Sequence, residues 1–576
     1  MENVFFLIFR RMRAPLLALV VTYALTVAGL VLIPGQDADG NPWRMDFFHA
    51  FYFVSYMSTT IGFGEIPYPF TEAQRFWVAI TIFVTVIVWL YSIGTVLALL
   101  QDKTFRRAIT EMRFARRIRR LRQPFYLICG YGETGSALVR ALTDRNRRAV
   151  AVDIREERVN LLKLENLREY VPGLYADARR PAHLLEAGLR HPRCAGVVAL
   201  TNVNETNLKI AITSTLIRPK VKVLCRAVSL DIEANMASFG TDYIYDPFDI
   251  FARYLATAIQ APCLTLLRDW LSGLRGEPLK EPIYPPAEGL WILCGYGRFG
   301  KAIHRQLRDQ RGIELAVIEA APESTGRPEC VELVLGRGTE ASTLEQADVR
   351  RAVGLVAGTD NDANNLSIVM TARELNPDLF VVARENQEDN AELFTAVRAD
   401  IVMHPSLIIA DRIRVLLATP LLTDFETRAR EKEDGWACQV VSRVAALVHE
   451  EVPEVWEVRL DEENAQAVCR LARRGGVFTL EALLRDPRER ERALPAIPLM
   501  LAHDEEPELL PPASRRLRPG DRLLLCGRAC ARSRMSWTLQ NAHSLNYVLT
   551  GGSSPEGTLW RWISRLRGAP RLPAGD

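Results

Sequence analysis

The stretch Thr59, Thr60, Ile61, Gly62, Phe63, Gly64, Glu65 has the residue types and spacing to strip water from a cation. Carbonyls of Thr60, Ile61, Gly62 and Phe63, with the Thr60 hydroxyl, can replace the hydration shell of K⁺. Consecutive carbonyls face one axis only if the backbone takes unusual dihedrals. Gly62 and Gly64 reach positive φ without a Cβ clash. A Gly-rich extracellular turn is the alternative, and the flanking segments weigh against it. Two further motifs suit phosphate. Gly130, Gly132, Glu133, Thr134, Gly135 and Gly295, Gly297, Arg298, Gly300 are both GxGxxG loops between an apolar run and a helical pattern. Their glycines permit a tight turn, close approach to a phosphate, and helix–strand packing.

The elements that must position the first loop can be counted. Residues 15–36 and 76–101 carry no charge, and about twenty residues cross the hydrocarbon layer as helix, so both read as membrane spans. Asp46 to Ser58 is too short to span and is aromatic (Phe47, Phe48, Phe51, Tyr52, Phe53, Tyr56). It reads as a re-entrant pore helix with Asp46 as N-cap. The negative end of its dipole would point at the ion path. Irregular backbone at membrane depth is tolerated where it lines a protein-enclosed cavity. Arg10, Arg11 and Arg13 precede the first span, and Lys103 and eight arginines from Arg106 to Arg122 follow the second. The positive-inside rule puts both termini in the cytoplasm, in a cell membrane. The basic run reads as a linker helix that also touches anionic lipid.

The elements that position the glycine loops occur twice. Residues 125–135, 197–202 and 221–226 return as 290–300, 355–360 and 379–384, in the same order, which marks an internal duplication. Each loop is followed by a second apolar strand ending in a carboxylate, Asp153 or Glu319. A carboxylate there binds ribose hydroxyls and disfavours a 2′-phosphate, so NAD(H) or an adenine nucleotide (ADP, ATP) is expected over NADP. A scaffold fold with an empty pocket is the alternative. The copies differ at Glu133 and Arg298. A cation at a helix N-terminus favours a bound anion. The second copy is therefore expected to take the more highly charged nucleotide, and the first a dinucleotide or monophosphate.

Bulk properties narrow the classes. The chain has 576 residues and a net charge of +3, so it holds several domains and carries no field that argues for nucleic acid. Its ten cysteines show no metal-site spacing and mostly sit in apolar runs (Cys129, Cys225, Cys294, Cys526), which reads as reduced, buried thiols. A dehydrogenase would share the glycine loops but needs a proton-transfer residue, and the eight histidines form no catalytic cluster. A transporter needs more spans than two. A non-selective cation channel shares everything but the filter chemistry and stays the rival reading.

These motifs resemble the potassium channels that carry cytoplasmic RCK (regulator of K⁺ conductance, TrkA-type) domains, over nearly the whole chain. The resemblance implies a pore domain (1–101), a linker (102–123), a first RCK unit (124–284), a second (285–430), a C-terminal lobe (431–530) and a tail (531–576). The fold class is a two-span helical pore plus tandem Rossmann-like α/β units and a small α+β lobe. By resemblance the chain is a homotetramer, ligand-gated and not an enzyme, whose ring of RCK units pulls on the helix ending at Gln101. Three departures stand out. Phe63 lacks the hydroxyl that usually braces the filter. No hinge glycine lies near Val84 and Thr85, leaving Gly94 as the hinge candidate or a helix-packing site. The carboxylates that bind Ca²⁺ in some relatives are missing at residues 226–228, with Asp231 and Glu233 nearby, and no metal site is assigned. The tail after Gly551, with Trp560 and Trp562, reads as an amphipathic anchor or a loosely packed terminus.

Overall fold

The structure, a computed structural model, describes residues 2–552 apart from 228–229, 239–240, 275, 330, 449 and 504–505. Trp560 and Trp562 lie outside the described residues. The chain divides into two compact units, one of residues 1–122 with 186–188, the other of the remainder.

The first unit is helical. Glu2–Leu32 and Glu72–Gln101 are its long helices, Phe47–Ser58 is the short one between them, and Lys103–Arg119 follows. Met12–Leu32 and Glu72–Gln101 are long and apolar enough to cross a membrane. Thr71 and Gln74 form a capping box that starts the second of these, satisfying two orphan N–H groups. The helices meet closely where Gly29 faces Trp77. A Cβ on Gly29 would fall 2.2 Å from that indole, whose Nε1 donates to the Thr26 carbonyl at 3.2 Å. Leu30, Met45, Ala50, Phe53, Val54 and Met57 form the unit's core. Much of the remaining apolar surface is exposed, including Leu25, Phe76, Phe83, Ile87 and Leu90.

The second unit holds two six-stranded parallel sheets. The first runs Gly173–Tyr175, Arg148–Asp153, Phe125–Cys129, Cys194–Ala199, Lys222–Arg226, Tyr243–Tyr245 in spatial order. The second runs Glu332–Leu335, Ile313–Glu319, Gly289–Cys294, Gly354–Ala357, Phe380–Arg384, Ile401–Met403. Each has the doubly wound strand order whose switch point lies beside its first strand. The strands read as unbroken apolar runs because both sheet faces are covered.

The sheets exchange a helix. Pro247–Gln260 follows the first sheet, but its Phe248, Phe251, Ala252 and Leu255 pack with Leu293, Phe299 and Ile303 of the second copy. Pro405–Ala418 follows the second sheet, and its Ile409, Ala410, Ile413 and Leu417 pack with Ile128, Leu138 and Leu142 of the first. Each copy thus completes the other's core.

A four-stranded antiparallel sheet closes the unit, in the order Glu454–Arg459, Arg522–Gly527, Ala496–Ala502, Glu508–Leu509. Helices Ala529–Gln540 and Ala542–Thr550, in the stretch expected as tail, bury Ala531, Met535, Leu539, Leu545 and Val548 against one of its faces. The cysteines correct the expectation of uniformly reduced, buried thiols. Cys263 and Cys438 form a disulfide, and Cys530 is exposed. Spacing could not reveal this pairing, because the partners are 175 residues apart and meet only when helices Pro262–Ser272 and Asp434–Leu447 pack. Burial does hold the Cys225, Cys294 and Cys526 thiols up at about 12, and so protonated.

Candidate functional site

Asp46 caps the short helix, its carboxylate accepting from the His49 N–H at 2.7 Å. At the other end Thr60 N donates to the Met57 carbonyl at 3.1 Å and Ile61 N to the Tyr56 carbonyl at 3.0 Å, so the helix hands directly into the loop. There φ is 62° at Thr60, 66° at Gly62 and 97° at Gly64, while Thr59 has φ −82°. In an ordinary strand, successive carbonyls point to opposite sides. Switching every second residue to positive φ turns them to the same side. Thr60 pays for this without being glycine, a strained dihedral of the kind held at functional loops.

Tyr56 supplies the brace that Phe63 lacks. Its hydroxyl donates to the Gly64 carbonyl, and its ring meets that of Phe63 edge to face with centroids 5.4 Å apart. Glu65 is clamped by Arg75, Nε to Oε1 at 2.8 Å and Nη2 to Oε2 at 2.9 Å, and accepts from the Phe70 N–H at 2.8 Å. Arg75's hydrogen bonds hold the Glu65 carboxyl below its usual range. Gly94 lies inside the unbroken helix Glu72–Gln101, and a Cβ there would meet nothing within 4 Å. Within this chain, therefore, Gly94 does not serve close helix packing.

The two glycine loops are near copies. Gly130 and Gly295 turn at φ 103° and 98°. Gly135 and Gly300 permit the closest approach, since a Cβ on either would fall 2.0 Å from the carbonyl oxygen of Gly130 or Gly295. Gly132 and Gly297 are the N-caps of Glu133–Asp144 and Arg298–Leu307, neither with a side-chain cap. Each helix therefore presents unsatisfied N–H groups to an anion. Asp153 accepts from the Tyr131 N–H at 2.6 Å and the Arg155 N–H at 2.8 Å; Glu319 accepts from the Tyr296 N–H at 2.6 Å and the Ala321 N–H at 2.9 Å. The carboxylates thus fasten the glycine loop to the second strand.

The copies differ in what covers the loop. Arg158 stands 2.9 Å from where a Cβ on Gly132 would be and 3.7 Å from Asp153, whereas the space at Gly297 is open. Glu133 accepts from the Ser406 hydroxyl at 3.3 Å, and Arg298 lies over the Phe248 ring at 5.4 Å. Both turn to the exchanged helices, because each glycine loop faces the helix donated by the other copy. Thr134 is buried at the helix start.

Two further pairs do structural work beside the pockets. Asn207 accepts from the Thr201 N–H at 2.9 Å and donates to the Arg226 carbonyl at 3.0 Å; Asn365 accepts from the Thr359 N–H at 2.9 Å and donates to the Arg384 carbonyl at 2.7 Å. Each ties two strand ends into the pocket floor. The signal lay in the sequence, a Thr followed six residues later by Asn in both copies. Next to the second pocket, burial, then Asp362, Glu388 and Glu133, raise Glu385 to about 7, and its carboxylate lies 3.8 Å from buried His404. Glu233 is also raised by burial, then by Asp246 and Asp249. Among the described residues, three potential metal-ligating atoms converge at Cys263, Asp434 and Cys438, where the thiols are bonded to each other.

Comparison with known proteins matches residues 16–102 to an ion channel domain family, and residues 126–247 and 291–405 to the TrkA-N domain family. A probable potassium channel protein 2 of Methanocaldococcus jannaschii is 27% identical over 139 residues, 23% of this chain and 40% of that one. The voltage-gated potassium channel Kch of Escherichia coli is 27% identical over 204 residues, 33% of this chain and 48% of that one. The chain thus spans less than half the length of these relatives. A solved GsuK channel bound to NAD aligns over 93% of this chain and 99% of its own, at 17% identity and a TM-score of 0.49.

Proposed function

We infer, from a chain that joins an ion channel domain to two TrkA-N domains, that this protein is a potassium channel gated by nucleotide. Relatives named as potassium channels in two organisms support the choice of ion. The observation that carries the reading is the alternation of positive φ at Thr60, Gly62 and Gly64, which aligns successive carbonyls as a dehydrating ladder. One chain supplies one wall of such a ladder. Ile61 and Phe63 are 61% and 65% exposed in the single chain, and a homotetramer around a common axis encloses them. The basic flanks put both termini in the cytoplasm.

NAD(H), or ADP or ATP, is the regulatory ligand, held by Gly130, Gly132 and Gly135 with Asp153, and by Gly295, Gly297 and Gly300 with Glu319. A ligand shifts the pore only by binding its two states unequally. The exchanged helices give that difference a route, since each pocket abuts a helix belonging to the other copy. Gly94 is the proposed flexing point of the inner helix. The test is reconstitution in a K⁺/Na⁺ gradient with each nucleotide added in turn. A non-selective current overturns the filter assignment, and a K⁺ current indifferent to every nucleotide overturns the gating assignment.

A further inference from the structure

The second unit contains a cavity of about 800 Å³ that is not a glycine-loop pocket. It opens at the other end of the first sheet. Tyr126 is the second residue of its strand and Lys222 the first of its own, and Arg147 precedes the strand Arg148–Asp153, whereas the glycine loop leaves the strand's far end. A five-residue strand separates the two by about 16 Å. The remaining walls are the Leu417–Pro420 elbow between two helices, the strand Glu454–Arg459 and the helix Ala529–Gln540.

The charges in this cavity do not balance. The carboxylates of Glu454 and Glu457 are engaged. Arg532 lies 2.6 Å from Glu454, and Glu457 accepts from the Leu421 N–H at 2.6 Å and from Arg522 at 3.3 Å. Asp144 is the third lining carboxylate and is exposed. Against it stand Arg145, Arg147, Lys222 and Arg459, whose side chains make no hydrogen bond or ion pair among the described residues. Arg145 is only partly exposed, and burial, then neighbouring Arg414, lower it to about 10 against the opposing pull of Asp411 and Glu454. Arg147, Lys222 and Arg459 are exposed along the cavity's rim and Arg145 is partly buried, and cations facing one space repel one another unless an anion sits between them. A single monoanion leaves most of this charge uncompensated. Guanidinium forks match phosphate oxygens, and the volume is that of a small-molecule site.

We propose that this cavity binds a small anion carrying at least two linked phosphates, at a site separate from the glycine loops. Its source is either a free polyphosphate or the phosphate chain of a nucleotide. Because the walls come from the first sheet, the elbow and the C-terminal lobe, the ligand fastens the lobe to the sheet. The assignment does not depend on the channel reading.

The test is calorimetric titration of the full chain in lipid nanodiscs with sodium tripolyphosphate at low salt, followed by ATP. Two variants separate the sites. Gly132→Asp/Gly297→Asp places a favoured N-cap on each glycine-loop helix and fills the phosphate position, at Gly132 by displacing the end of the Arg158 side chain and at Gly297 into open space. Arg147→Ala/Lys222→Ala alters two exposed cations of the cavity. Tripolyphosphate binding that survives in the first variant and weakens roughly tenfold or more in the second, with an unchanged melting midpoint, supports the site. ATP binding more tightly than tripolyphosphate in the first variant assigns the source to a nucleotide; equal binding assigns it to the phosphate chain. Binding that disappears in the first variant and is unaffected in the second overturns the proposal, as does absence of tripolyphosphate binding to the native chain.

Discussion

Single residues decide how rigid the ion ladder is. The sequence shows that Phe63 lacks a hydroxyl but not what replaces it, because Tyr56 reaches Gly64 only once the helix–loop turn has formed. Tyr56→Phe keeps the ring contact and removes the hydrogen bond, at a cost of about 1 kcal/mol. Single-channel records of this variant should show shorter openings with unchanged K⁺ over Na⁺ preference; unchanged open times would show that the hydroxyl does not brace the loop. Glu385 acts through its charge. With its carboxyl raised to about 7, the folded unit takes up a proton between the ordinary carboxylate range and about 7, so this group's contribution to stability falls as pH rises through that window. Glu385→Gln should raise the melting midpoint at pH 8 by about a few degrees and change it little at pH 5. Burial holds His404 below its ordinary value, so it works in the opposite direction, and it remains in the variant.

At the scale of elements, the glycine positions separate by what surrounds them. Gly135→Ala and Gly300→Ala drive a methyl into a carbonyl oxygen and should lower the melting midpoint of the second unit clearly in calorimetry. Gly297→Ala meets open space, so it should leave the midpoint within about 1–2 °C while weakening nucleotide binding in titration. The two Rossmann-like α/β units in tandem were legible, since buried parallel strands read as apolar runs and the glycine spacing repeats. The helix exchange was not legible. An amphipathic face such as Phe248, Phe251, Ala252, Leu255 announces that it will be buried but not against which sheet. The partners of Glu133 and Arg298 were not legible for the same reason. Glu133 meets Ser406, 273 residues further on, and Arg298 meets Phe248, on the helix that follows the other sheet. Phe251→Ala should cost about 3–5 kcal/mol and destabilise the second sheet although the residue follows the first; chemical denaturation with probes in each sheet checks this.

For the whole molecule, the division into a helical unit and a duplicated α/β unit followed from uncharged runs and repeated motifs. The Cys263–Cys438 disulfide and the helices after Ala529 did not, because they depend on packing between parts distant in the sequence. On the proposed reading, an ion ladder in one unit answers to nucleotide bound in the other. Single-channel recording of the purified protein in a bilayer tests it most directly, with a K⁺/Na⁺ gradient and NAD⁺, NADH, ADP and ATP added in turn to the cytoplasmic side. A reversal potential at the K⁺ value, with an open probability that changes with nucleotide and stops changing in Gly132→Asp/Gly297→Asp, is the predicted result. A reversal potential near zero, or an open probability that no nucleotide moves, contradicts it.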